Sequence, residues 1–284
     1  MIDFVKIIVF IGISSLIALA GAQGGYQING TPIIFICLLI SFGIHYLMFI
    51  PSYIFKTERY FDITGSITFL SVIYFILYNR NIDDFNLSGI LLILFITIWT
   101  LRLGLFLFFR IHKDGKDRRF DEIKTDFLKF MFVWTMSGTW VFVTSCCALA
   151  ALCSNIITDN LLLVSIGAIL WIVGFILEVV SDIQKRKFKK HNKNGFITTG
   201  LWSYSRHPNY LGEIVLWIGI SLIALPSLNG AQYITLISPF FVYLLLTRGT
   251  GLNLLEEYAE KKWGGLADYQ EYKRNTPILF PFKN

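Results

Sequence analysis

NLSGILLILFITIWTLRLGLFLFF, residues 86 to 109, decides the fold: across the whole stretch Arg102 is the single charged side chain. A helix rises about 1.5 Å per residue, so roughly 18 or more apolar residues cross a hydrocarbon layer about 30 Å thick. Seven further runs of this kind lie near residues 4 to 22, 31 to 51, 61 to 79, 127 to 153, 160 to 180, 208 to 228 and 231 to 248. Backbone N–H and C=O groups in lipid need partners within the protein, and none of these runs alternates with period two, so they are read as helices rather than barrel strands. The expected fold is all-α, a polytopic bundle of seven to eight spans. The lower number applies if Ala18-Leu19-Ala20 serves as a signal-cleavage site; a lone Lys6 ahead of a long apolar run favours an uncleaved first span.

Composition agrees. Of the 284 residues, 55% are hydrophobic and 16% aromatic, which excludes an ordinary soluble domain. Cys37, Cys146, Cys147 and Cys153 fall inside apolar runs with no paired spacing, so they read as packing residues, and no metal site is expected. The net charge of +6 is unevenly placed: twenty of the 25 Lys and Arg residues lie after spans two, four, six and eight, while the alternate connections hold only Arg80. Basic loops stay in the cytoplasm, so both termini are expected there. The loops are short and lack interleaved aromatics, which argues against nucleic-acid binding.

Ionisable residues within spans cost about 2.5 to 3.5 kcal/mol each on insertion scales and therefore face a protein interior or a hydrated cavity. Arg102, Glu178, Asp182 and Glu213 all map to the cytoplasmic ends of their spans. Glu178 and Asp182 share a helix face, as do Asn209 and Glu213 if Pro208 opens the seventh helix. Glu58, Arg59 and Asp62 mark the inner end of span three, with His45 and Tyr46 in the inner half of span two. A polar vestibule is expected there; His45 taken alone reads as an interior hydrogen-bonded histidine.

The most informative segment is GFITTGLWSYSRHPNYLGE at 195 to 213. A helix start offers free N–H groups and a positive dipole end, and with Arg206 and the upstream basic run it suits an anionic group such as phosphate. This segment resembles the C-terminal half of the steroid 5-alpha-reductase superfamily. Similar features occur as KTERYFDITGSITFL at 56 to 70, WTLRLGLFLFFRIHKDGKDRRFD at 99 to 121 and GFILEVVSDIQKRKFKK at 174 to 190. The resemblance implies NADPH as cofactor, contacted by Asp182, Asn209 and Glu213, with Lys189 and Tyr204 in the same cavity. Arg206 and His207 join that set on physical grounds, since steroid reductases of the animal type carry a different pair there. The Gln-Glu pair that those reductases use near the steroid carbonyl has no clear counterpart in span two. Glu58 and Tyr60 are the candidates for proton donor by location.

Arg206-His207-Pro208 followed by Glu256-Glu257 and a tail with Tyr258, Trp263, Gly264, Tyr269, Tyr272 and Pro277 also looks like the isoprenylcysteine and phospholipid methyltransferases, which use S-adenosylmethionine. The larger number of spans and the upstream segments favour the reductase. A transporter is a third class, but no internal repeat is evident and the paired broken helices common in transporters are missing, although Pro226 and Pro239 would bend spans seven and eight. The expectation is an NADPH-dependent membrane oxidoreductase acting on a sterol-like or isoprenoid lipid from the bilayer. Residues 1–126 would enclose the lipid, and residues 127–284 would hold the cofactor.

Overall fold

A computed structural model describes residues 2–115, 117, 120–156, 158–192, 194–249 and 251–281. Of the basic residues counted above, Lys116, Arg118, Arg119, Lys193 and Lys283 lie outside them. The described residues are predominantly helical: α1 (Ile2–Gly21), α2 (Ile33–Ile54), α3 (Phe61–Asn79), α4 (Leu87–Asp114), α5 (Phe127–Cys153), α6 (Leu161–His191), α7 (Pro208–Ala224), α8 (Ile237–Arg248), α9 (Leu252–Trp263) and α10 (Ala267–Asn275). Among the described residues eight segments are long and apolar enough to cross a membrane, matching the eight runs read from the sequence, and the protein is an integral multi-pass membrane protein. The eighth differs in form, since its first part, Gly230–Leu236, is a 3₁₀ helix. At about 2.0 Å per residue, that turn supplies the length that the 12-residue α8 lacks.

Two compact units arise from the chain. The first comprises Met1–Val164 and Ser221–Ser238, the second Ser165–Ile220 and Pro239–Asn284. In the first unit α5 is the central helix, packing on α1, α2 and α3. Its buried stretch is rich in small residues, Ser145, Cys146, Cys147, Ala148 and Ala150, which let neighbouring backbones come close where lipid supplies no hydrophobic drive. Cys146 Sγ donates to the Thr235 carbonyl at 3.1 Å, and Cys147 Sγ lies 3.4 Å from Ser221 Oγ. His45 is fully buried, with Nδ1 2.7 Å from the Ser41 carbonyl and Nε2 2.9 Å from Ser137 Oγ.

Two helix ends in this unit are met by side chains from distant parts of the chain. Asp159 accepts from the N–H groups of Leu87 and Ser88 at 3.2 and 3.1 Å, placing a carboxylate at the positive end of α4. Arg80 donates to the carbonyls of Leu152 and Ser154 at 2.7 and 3.0 Å, satisfying the C-terminus of α5. Between α1 and α2 a small antiparallel hairpin pairs Gln27 with Pro32 and Ile28 with Thr31. Asn29 and Gly30 at its turn have φ of 48° and 79°, the left-handed pair that a two-residue hairpin requires.

In the second unit α6 and α7 run antiparallel at close range. A Cβ added at Gly174 would lie 2.5 Å from the Leu216 nitrogen; one at Gly212 would lie 2.6 Å from the Glu178 nitrogen, and one at Gly219 2.5 Å from the Gly167 carbonyl. The glycine spacing of seven on each helix keeps one bare stripe facing its partner, as in membrane helix pairs joined through small residues. α6 has 31 residues, about 46 Å of helix, so its last turns extend past a hydrocarbon layer. Lys189, Lys190 and His191 occupy its C-terminal turn, where the dipole favours cations.

Candidate functional site

The second unit holds all seven residues expected to form the cofactor site. Gly200, with φ of 67°, turns the chain beside the Gln184 side chain, whose Oε1 accepts from Leu201 N–H at 3.0 Å. Trp202 is buried and donates from Nε1 to the Ser181 carbonyl at 3.1 Å, while Lys185 Nζ sits 4.6 Å from its ring centroid. These contacts moor the loop to α6 next to Asp182, which is itself buried. Pro208 then opens α7, a position suited to its fixed φ and missing N–H. Because Gly212 lets the α7 backbone touch α6 at Glu178, the start of α7 and the Glu178–Asp182 turn are neighbours.

Arg206 and His207 face the same carboxylate. Arg206 Nη1 donates to Glu256 Oε2 in a short ion pair, and His207 Nε2 donates to Glu256 Oε1 at 2.7 Å. The Arg206 N–H also donates to the Pro277 carbonyl at 3.0 Å, and Tyr272 OH to the Trp202 carbonyl at 2.7 Å. The tail helices α9 and α10 are thereby tied to the loop that precedes α7. An aromatic cluster adds to this tie, with the Phe196 ring 5.7, 5.1 and 5.9 Å from those of Trp263, Tyr269 and Tyr272. Burial lowers the His207 imidazole below its ordinary value of 6.5, with Lys185 and Arg206 acting in the same direction and Glu256 opposing. Burial likewise pushes the Tyr272 phenol up.

What remains available defines what the site can hold. Asn209 Oδ1 and Arg206 Nε are buried atoms without a hydrogen-bond partner among the described residues. A buried orphan costs about 1 to 3 kcal/mol, so such atoms mark places where a ligand group gains by binding. Tyr204 and Lys189 are exposed, Glu213 is half-buried, and Glu213 stands one turn beyond Asn209 on α7. An acceptor, a guanidinium N–H, an exposed phenol and a basic helix end suit a polar, anionic cofactor.

Glu58 and Tyr60 belong to the first unit. They line a cleft of about 880 Å³ at the α2–α3 connection, together with Met48, Ser52, Phe55 and Arg59. Glu58 is buried, and both its oxygens accept: one from Lys124 Nζ at 2.7 Å, the other from Asp117 N–H at 3.0 Å. Those contacts make it an anchor for the α4–α5 connection. Tyr60 is 46% exposed. The clamp role of Glu256 and the mooring roles of Gln184, Trp202 and Tyr272 were missed by the sequence reading. Glu256 and Tyr272 had a signal only as parts of the methyltransferase-like tail, and Trp202 only as a bulky aromatic inside the polar loop.

The family described as a protein of unknown function, DUF1295, matches residues 48–276. Among curated proteins, the rat (Rattus norvegicus) 3-oxo-5-alpha-steroid 4-dehydrogenase 1 is 31% identical over 118 residues, 41% of this chain and 40% of that protein. The probable O-methyltransferase ustE of Ustilaginoidea virens is 34% identical over 98 residues, 34% of this chain and 32% of that protein. The protein-S-isoprenylcysteine O-methyltransferase of Saccharomyces cerevisiae is 31% identical over 96 residues, 34% of this chain and 36% of that protein. The matches thus span about two fifths or less of these relatives' lengths, and no solved structure matches. With four fifths of its length inside the match, the chain belongs to the DUF1295 family, a steroid 5-alpha-reductase-like family.

Proposed function

We propose that this protein is a membrane enzyme that reduces an activated carbon–carbon double bond of a sterol-like or isoprenoid lipid with NADPH. The observation that carries this reading is the buried Asn209 Oδ1 at the start of α7, which, like Arg206 Nε in the same unit, has no hydrogen-bond partner among the described residues. Asn209 would accept from a cofactor N–H or O–H, and Arg206 Nε would donate to a phosphate or hydroxyl oxygen. Lys189 and the basic end of α6 would hold negative charge, and Tyr204, Asp182 and Glu213 would complete the pocket. Arg206 and His207 act mainly through Glu256, keeping the tail over the loop. NADPH supplies a hydride when bound. Tyr60 is the better candidate for donating a hydrogen bond to the lipid's carbonyl oxygen, because both oxygens of Glu58 already accept from protein donors. By the distribution of basic residues, this chemistry faces the cytoplasm.

Methyl transfer from S-adenosylmethionine is the second reading. The joint hold of Arg206 and His207 on Glu256 supports it, because these are the elements that resemble the methyltransferases. Calorimetry on the purified protein with NADPH and with S-adenosylmethionine separates the two. NADPH binding that Asn209→Ala weakens supports the reductase, whereas binding of S-adenosylmethionine alone overturns it.

A further inference from the structure

The cleft in the first unit has a composition that the proposed reaction does not explain. It is lined by Lys56, Arg59 and Lys124 against one carboxylate, Glu58. Glu58 is already engaged with Lys124 and with the Asp117 N–H. Lys56 and Arg59 are exposed and bridge to no carboxylate among the described residues; Lys56 Nζ rests instead 3.3 Å from the centroid of the Tyr53 ring. The cleft therefore carries surplus positive charge at the end of a membrane helix.

A second, independent feature points to a ligand. Serines buried in helices here typically donate to the carbonyl four residues back, as Ser41, Ser145 and Ser181 do. Ser52 does not: it is among the residues lining the cleft, it is 2% exposed, and its buried Oγ has no hydrogen-bond partner among the described residues. A hydroxyl left unsatisfied beside surplus cations is arranged to donate to an anion.

The remaining wall is apolar. Met48, Pro51 and Phe55 line it, and Phe55 is 77% exposed. Ile50 and Ile54, on the last turns of α2, are exposed as well, as expected of side chains that meet lipid tails. A cleft of about 880 Å³ is far larger than a lone phosphate needs. Cations, a free hydroxyl and an apolar, lipid-level wall together match an amphiphile with an anionic head.

We infer that this cleft binds the phosphomonoester headgroup of a bilayer lipid, with Lys56, Arg59 and Ser52 contacting the phosphate and the chain lying along Met48, Pro51 and Phe55. A phosphomonoester carries close to two negative charges at neutral pH, which balances Lys56 and Arg59. The guanidinium of Arg59 is suited to a two-pronged contact with phosphate oxygens. The inference rests on the proposed function only in taking the first unit as the lipid-binding one, and it narrows the substrate to an anionic lipid.

The test is binding to the purified full-length chain in mild detergent, read by thermal shift and competition, with farnesyl phosphate, farnesol and inorganic phosphate as probes. Farnesyl phosphate is expected to bind about tenfold or more tightly than farnesol, the same chain without the charge. The double variant Lys56→Ala/Arg59→Ala should lose that difference, and both side chains are exposed, so folding should be unaffected. Ser52→Ala should weaken farnesyl phosphate several-fold while leaving the unliganded protein no less stable, because it deletes an unsatisfied hydroxyl. Equal binding of farnesol, or inorganic phosphate binding as well as farnesyl phosphate, overturns the inference. So does displacement of farnesyl phosphate by NADPH, which would make the cleft a nucleotide pocket. Retained NADPH or S-adenosylmethionine binding in the Lys56/Arg59 variant would show that the cofactor reading stands separately.

Discussion

Gly212→Ala tests the contact on which the candidate cofactor site depends. The added methyl would lie 2.6 Å from both the Glu178 nitrogen and the Gly174 carbonyl oxygen, where ordinary contact begins at 3.4 Å, so the two helix backbones must part by about 0.8 Å. Neither obstacle is a flexible side chain. Overpacking of this kind costs about 1 to 3 kcal/mol, and the upper end applies to backbone against backbone; the better helix propensity of alanine returns up to about 1 kcal/mol. The net loss is about 2 kcal/mol, or about 4 to 8 °C in the thermal midpoint for a chain of this size. Gly43→Ala is the control, since a Cβ there meets nothing within 4 Å. It is expected to be neutral or slightly stabilising. Thermal unfolding in detergent, followed by tryptophan fluorescence, reads both. Cofactor affinity should fall in Gly212→Ala as well, because Asn209 moves relative to Asp182. If Gly212→Ala melts no lower than Gly43→Ala, the close approach of α6 and α7 is refuted, and with it the neighbourhood of Asp182 and Asn209.

Asn209→Ala or Glu213→Ala should weaken cofactor binding while leaving membrane insertion intact; unchanged affinity in both folded variants would remove them from the site. Removing one side of the Arg206–Glu256 pair should cost about 2 to 3 kcal/mol, with a double-mutant coupling of about 1 to 3 kcal/mol and faster proteolysis beyond Gly251. Additive single effects would mean that the pair contributes nothing. The depressed His207 imidazole gives a signed pH dependence: the unfolded state binds this proton more readily, so its contribution is full above about 6.5 and declines as pH falls below that value. His207→Gln should flatten the part of the pH–stability curve between about 7 and 5, and a curve of unchanged slope would contradict the assignment. Glu58→Gln should lower stability by about 1 to 3 kcal/mol through its contacts with Lys124 and Asp117. Full stability with lost turnover would return Glu58 to a chemical role.

Spans were legible because crossing lipid is a local requirement: a run such as 86–109 is apolar and long enough whatever it packs on. The Asn29-Gly30 hairpin was also written in the sequence, by the turn residues that tolerate positive φ, though the reading passed over it. The 3₁₀ start of the eighth span was not legible. It depends on Gln232 reaching back to the Gly21 carbonyl at 3.2 Å, a contact made across most of the chain.

By itself the sequence determined the helical class, the number of spans, the one-sided placement of basic residues and the segment from 195 to 213 as the place to look. Tertiary structure decided which helix is central, because α5 is no more apolar than its neighbours and only packing buries it. It also decided how charges are used. Arg206 and His207 read as ligands for an external anion until the fold brings Glu256 to them, and Glu58 reads as a free acid until Lys124 arrives. Charge and hydrogen bonding act through a few ångströms of space, so residues 49 to 66 positions apart in the chain show their partnership only after folding.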